Sequence, residues 1–157
     1  MVNISWCLNV KNGIELVNPS ENVSESYLSM AGESLEELKK VESKIWIAST
    51  AYYSMYYSLY SLMMRIGVKC EIHSCSIEFM NYFLKEFYSS NERELIETCF
   101  RIRNTLQYYP QRFVDNKKLE FVRNEAVNFY VKTKEIISKI SESQVKKIRE
   151  ELKNYEK

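Results

Sequence analysis

KIWIASTAYYSMYYSLYSLMMRIG, residues 44–67, is the stretch whose reading decides the fold. Placed at about 100° per residue, Ala48, Ala51, Met55, Leu59, Leu62 and Ile66 line one stripe of a helix, and Tyr52, Tyr56 and Met63 widen it. Trp46, Tyr53, Tyr57, Tyr60 and Met64 form a second stripe beside the first. A surface helix needs an apolar face only about 100° wide. These two stripes together cover well over half the circumference. The helix must therefore be central, or one stripe must meet another subunit. Thr50, Ser54, Ser58, Ser61 and Arg65 make the only polar edge, and most of them are small. Gly67 is a good left-handed terminator.

The same arithmetic extends outward along the chain. With 3 Gly and 2 Pro in 157 residues, connections are few and the elements must be long, which favours helices. Residues 1–20 read as an irregular arm with one short extended piece at Ile14–Val17. Ser20 and the acids behind it open a helix over about 21–41, to within about three residues at each end, carrying Tyr27, Leu28, Ala31, Leu35 and Leu38. A loop is expected over 68–74. Helices follow over roughly 76–88, from just after Asn91 to Pro110, and over roughly 117–140. In the helix before Pro110, Leu95, Cys99, Ile102, Leu106 and Tyr109 take the core side. A thin stripe of Val145, Ile148, Leu152 and Tyr155 marks a last helical tail over 142–157, either docked, frayed or used as an oligomer contact. The expected architecture is an all-α, up-and-down bundle over 21–141, flanked by the arm and the tail.

Composition excludes several function classes. The charge is balanced, with 22 basic and 21 acidic residues, so no strong field steers the chain to nucleic acid or a membrane. A single histidine excludes the common multi-histidine metal sites and makes a Ser-His-Asp arrangement improbable. No Gly-rich phosphate loop occurs. The loop CEIHSC puts Cys70, His73 and Cys75 close together, but in no common zinc spacing. It reads as structural, with His73 capping a helix or holding the loop by hydrogen bonds. No metal or cofactor is expected. The four cysteines form no CxxC pair, and no apolar leader precedes them. They read as free, mostly buried thiols in a reducing cytoplasm.

The chemistry that remains lies in RIRNTLQYYPQ, residues 101–111. Arg103 and Gln107 are one helical turn apart, as are Asn104 and Tyr108, so the four share a polar patch. Arginine offers a donor fork suited to phosphate. The amides can orient a base or sugar, and tyrosine can stack on a base. The alternative for these residues alone is an arginine paired with a carboxylate and amides capping helix ends. Arg101 reads as solvated.

The chain resembles the small stand-alone HEPN-domain proteins. The likeness rests on ASTAYYSMYYSLYSLMMRIGVKCEIHSCSI at 48–77, with its Tyr-Tyr-rich helix, glycine and loop histidine. It continues in RIRNTLQYYPQRFV and EAVNFYVKTKEII, and in the arm. The resemblance implies a homodimer, a small nucleotidyltransferase partner in a toxin–antitoxin pair, and a nucleotide or RNA ligand. Some members are metal-independent RNases whose arginine is followed a few residues later by histidine. Here Arg103-Asn104 matches the start of that motif, but Tyr108, Tyr109 and Pro110 stand where the histidine would fall. Partners of some members attach adenylate to a tyrosine beside the motif, which points to Tyr108 or Tyr109. Three readings follow: a nucleotide- or RNA-binding module without the full catalytic motif, an RNase toxin acting as a dimer, or a structural interaction subunit. Binding would need a concave surface at the Arg103 patch.

Overall fold

The structure, a computed structural model, describes residues 2–155; Met1 of the arm and residues 156 and 157 of the tail lie outside the described residues. Seven helices and one small two-stranded sheet follow each other as α1 (Ile4–Asn9), β1 (Glu15–Leu16), α2 (Glu21–Leu38), α3 (Lys44–Ile66), β2 (Val68–Lys69), α4 (His73–Phe83), α5 (Ser90–Tyr108), α6 (Asn116–Lys139) and α7 (Glu142–Tyr155). The fold is an all-α helical bundle. No helix among the described residues is long and apolar enough to cross a membrane.

Helix α3 is the axis, as its two stripes require. Ala48, Ala51, Tyr52, Met55, Leu59, Leu62, Met63 and Ile66 have no exposed surface. α2, α5 and α6 pack along it. Its serines are buried rather than forming a wet edge. Ser54 and Ser58 donate to the carbonyls of Ala51 and Ser54, 2.7 Å each. Ser61 donates to the Ser24 carbonyl at 2.6 Å, which holds α2 close against α3. Small hydroxyls that satisfy themselves on backbone carbonyls let two helices approach without stranding a polar group. The second stripe is only partly covered. Tyr60 is buried, Tyr53, Tyr57 and Met64 are partly exposed, and Trp46 is 60% exposed. A subunit partner is therefore not needed to cover the first stripe.

The C-terminus of α3 shows how the chain ends are tied in. Gly67 is left-handed, at φ 84°, and its N–H reaches the Met63 and Met64 carbonyls. A Cβ there would collide with the Arg149 guanidinium and the Val17 carbonyl. Arg149 of α7 sends Nη1 to the carbonyls of Val17, Ile66 and Gly67 at 2.8, 3.1 and 2.8 Å. With Val145, Ile148 and Leu152 buried, α7 is docked on the bundle.

Three local expectations need correction. The arm is not irregular: Asn3 caps α1 by accepting from the Trp6 N–H at 2.8 Å, and β1 pairs antiparallel with β2, Glu15 opposite Lys69 and Leu16 opposite Val68. Nor are all four thiols free, since Cys7 and Cys75 form a disulfide that ties α1 to α4. Cys70 and Cys99 are free and buried, and burial pushes both thiols up from their ordinary pKa. Only two of the four cysteines are therefore thiols. The first long helix ends at Leu38, within the expected bounds, and Arg123 of α6 takes the Leu38 and Val41 carbonyls just beyond it. Finally, α4 starts at His73 and stops at Phe83, short of the expected residue 88. Tyr88 instead drops into the core, its ring stacked on Phe129 and its hydroxyl 2.7 Å from that of Thr133. Ser89 then caps α5 in a reciprocal capping box with Glu92.

Candidate functional site

Arg103 sits on α5 and faces Tyr52 and Tyr53 of α3. Its Nη1 donates to Asn104 Oδ1 at 2.9 Å, and its Nη2 donates to the Tyr53 hydroxyl at 3.2 Å. The guanidinium carbon lies 5.8 Å from the Tyr52 ring, 5.6 Å from the Tyr53 ring and 6.0 Å from the Tyr108 ring. Three aromatic faces thus hold the cation in place. One hydrogen on each terminal nitrogen is left without a protein acceptor. Nε is buried and unpartnered, the only such side-chain atom among the described residues. No carboxylate is paired with this arginine among the described residues, so the ion-pair alternative is not what the structure contains.

The same cluster contains the chain's single histidine. His73 Nδ1 is 2.8 Å from the Tyr52 hydroxyl. Its ring lies flat on Tyr56, centroids 4.0 Å apart and planes within 8°, and meets the edge of Tyr53 at 6.2 Å. Burial lowers the imidazole pKa below the ordinary value, and the Arg103 charge lowers it further. Burial raises the Tyr52 and Tyr56 hydroxyls well above the ordinary phenol range. Both phenols are therefore protonated at neutral pH. His73 is a neutral imidazole there, with Nε2 free of any recorded hydrogen bond. The arrangement joins a fixed cation, a neutral base and a row of aromatic rings.

The residues expected from sequence divide cleanly. Arg103, Asn104 and Tyr108 come together, with Tyr108 60% exposed over the guanidinium. Gln107 is exposed and has no recorded hydrogen bond to the cluster. Tyr109 is also exposed, not on the core side; its ring faces the Arg112 guanidinium at 4.3 Å. His73 was expected to be a cap or loop anchor. It does anchor by hydrogen bond, but to α3 and beside Arg103. Sequence reasoning missed Tyr52, Tyr53 and His73 as site residues. The usable signal was the tyrosine doublet followed by the lone histidine in one continuous segment.

In CEIHSC, Cys75 is taken by the disulfide, and no group of three potential metal ligands lies together among the described residues. A wide cleft of about 1040 Å³ opens between α5 and α6, lined by residues such as Thr98, Arg101, Ile102, Phe113 and Phe121. It lies on the other side of α5, and none of the Arg103 cluster lines it. Volume alone would pick that cleft; the chemistry picks the polar–aromatic surface at Arg103, where cation, imidazole and phenols converge. Neither a family model, nor a curated protein, nor a solved structure matches the chain.

Proposed function

We propose that this chain is a nucleotide- or RNA-binding, HEPN-like module of a toxin–antitoxin pair, with a small nucleotidyltransferase as partner and a homodimer as its assembly. The observation that carries the reading is Arg103, held among three tyrosine rings with hydrogens to spare on both terminal nitrogens. Such a guanidinium suits a phosphate oxygen pair. Adjacent rings suit a base. Net charge near zero suits a local anchor rather than a broad basic track. Titration with adenosine monophosphate and with unpaired RNA tests it: Arg103→Ala abolishes binding, and Arg103→Lys retains only part of it. One neutralised phosphate gives a log–log salt slope of about −0.7 on single strands. If the wild-type chain binds neither ligand, the reading fails and the structural interaction subunit takes its place.

A second reading, RNA cleavage, gains support from His73. The motif position after Arg103 holds tyrosine, but a neutral imidazole reaches the cluster from α4 instead. Such a group can take a proton from an attacking hydroxyl near neutral pH, which tyrosine cannot. RNA turnover by purified protein, lost in both His73→Ala and Arg103→Ala, is the expected result. No turnover at high protein concentration sinks this second reading and leaves the first intact.

A further inference from the structure

The aromatic surface does not end at Arg103. Tyr53 is followed one helical turn along α3 by Tyr57, centroids 5.5 Å apart and planes 28° apart. Tyr57 meets Tyr27 of α2 at 6.0 Å, and Tyr27 rests edge-on against Tyr60 at 4.8 Å. Tyr27, Tyr53 and Tyr57 are all partly exposed. Fully buried aromatic ladders need no ligand; this one leaves three tyrosines partly exposed beside a cation with unspent donors.

We infer that Tyr53, Tyr57 and Tyr27 form a stacking track for successive bases, so that the ligand is a short unpaired run of nucleic acid anchored by one phosphate at Arg103. This rests on the binding reading above and narrows its ligand from a mononucleotide to an oligonucleotide. Three consecutive steps of 5.5 to 6.0 Å, from the guanidinium to Tyr53, Tyr57 and Tyr27, exceed what a single base can cover. Ring stacking is tolerant of base identity, because every base presents a π face. The track therefore gives length preference without sequence preference. It also fits the charge balance: among the described residues no second arginine lies over these rings, so affinity beyond the first phosphate comes from stacking and is insensitive to salt.

The test compares adenosine monophosphate, an unpaired RNA hexanucleotide and its DNA counterpart on the full chain. The hexanucleotide binds more tightly than the mononucleotide. Tyr57→Leu and Tyr27→Leu each weaken the hexanucleotide by about five- to 150-fold, the cost of one lost stacking partner. Both leave mononucleotide binding within about twofold, since neither touches the anchor. Tyr57→Phe keeps the ring and keeps the affinity. If Tyr57→Leu perturbs folding, nitration of the wild-type tyrosines reads the same contact: the hexanucleotide protects Tyr57 and Tyr27, and the mononucleotide does not. Equal affinity for both ligands, with Arg103→Ala abolishing both, overturns the track and leaves the anchor standing. Failure of both ligands to bind removes anchor and track together. Weaker binding of the DNA hexanucleotide assigns the track to RNA, and equal binding assigns it to any unpaired strand.

Discussion

Opening the Cys7–Cys75 bridge is the perturbation with the largest expected effect on the fold. The two residues are 68 apart in sequence, and the bridge holds α1 against α4. In the chain-entropy treatment, closing a loop of that length removes about 15 cal/mol/K from the unfolded chain, or about 4 kcal/mol at 25 °C. With a urea m-value of about 2 kcal/mol/M, the oxidised protein should unfold about 2 M later than the reduced protein. Urea titration followed by far-UV circular dichroism, with and without dithiothreitol, measures this directly. The double variant Cys7→Ala/Cys75→Ala provides a control whose midpoint does not respond to the reductant. Both sulfurs are fully buried, so its midpoint lies at or below that of the reduced wild type. Oxidised and reduced wild type unfolding within about 0.3 M of each other would refute the entropic reasoning. Rapid alkylation of Cys7 and Cys75 in the native, non-reduced protein would refute the bridge itself.

Three further outcomes follow from the structure. Arg149→Met removes a charged donor shared by three carbonyls and should cost about 1.5–3 kcal/mol, lowering Tm by about 4–10 °C in a scanning experiment. Tyr88→Phe loses the buried hydroxyl pair with Thr133 and keeps the ring stack on Phe129, so its cost stays near 1 kcal/mol in urea. His73 has a folded pKa below its unfolded value, so the unfolded chain takes up the proton first on acidification. Its contribution to stability is complete above about pH 6.5 and declines as pH falls through the folded value; His73→Asn removes that part of the pH dependence in urea titrations at stepped pH.

How much of this was legible in the sequence depends on the physical origin of each feature. α3 was legible to its last residue, because one amphipathic pattern and one glycine determine it without help from the rest of the chain. α1 was not, because six residues cannot make a helix by propensity. That helix is held by the Asn3 cap and by a covalent bond to a residue 68 positions away. Tyr88 ended α4 early for a similar reason: its cavity between Phe129 and Thr133 exists only once α6 has packed. In the site, helical spacing set Asn104 and Tyr108 one turn apart on a patch shared with Arg103, but neither is itself one turn from the arginine. Gln107 is one turn from Arg103 and still stayed outside, since one turn of separation places a side chain near a neighbour without obliging it to bond.

His73 shows the limit of reading a site as a motif. A spaced motif is shorthand for two side chains brought together by one helix turn. Here α5 supplies Arg103, α4 supplies His73, and α3 joins them through adjacent tyrosines: Tyr53 accepts from the guanidinium and Tyr52 bonds the imidazole. A histidine thus reaches the Arg103 cluster from 30 residues earlier in the chain. The doublet at 52–53 does what a motif spacing would otherwise do, because consecutive helical residues point about 100° apart and can each hold a different partner. Tyr52→Phe isolates that link. The ring remains in the core while the imidazole loses its hydrogen bond, so a site that depends on His73 weakens and one that depends on Arg103 alone does not.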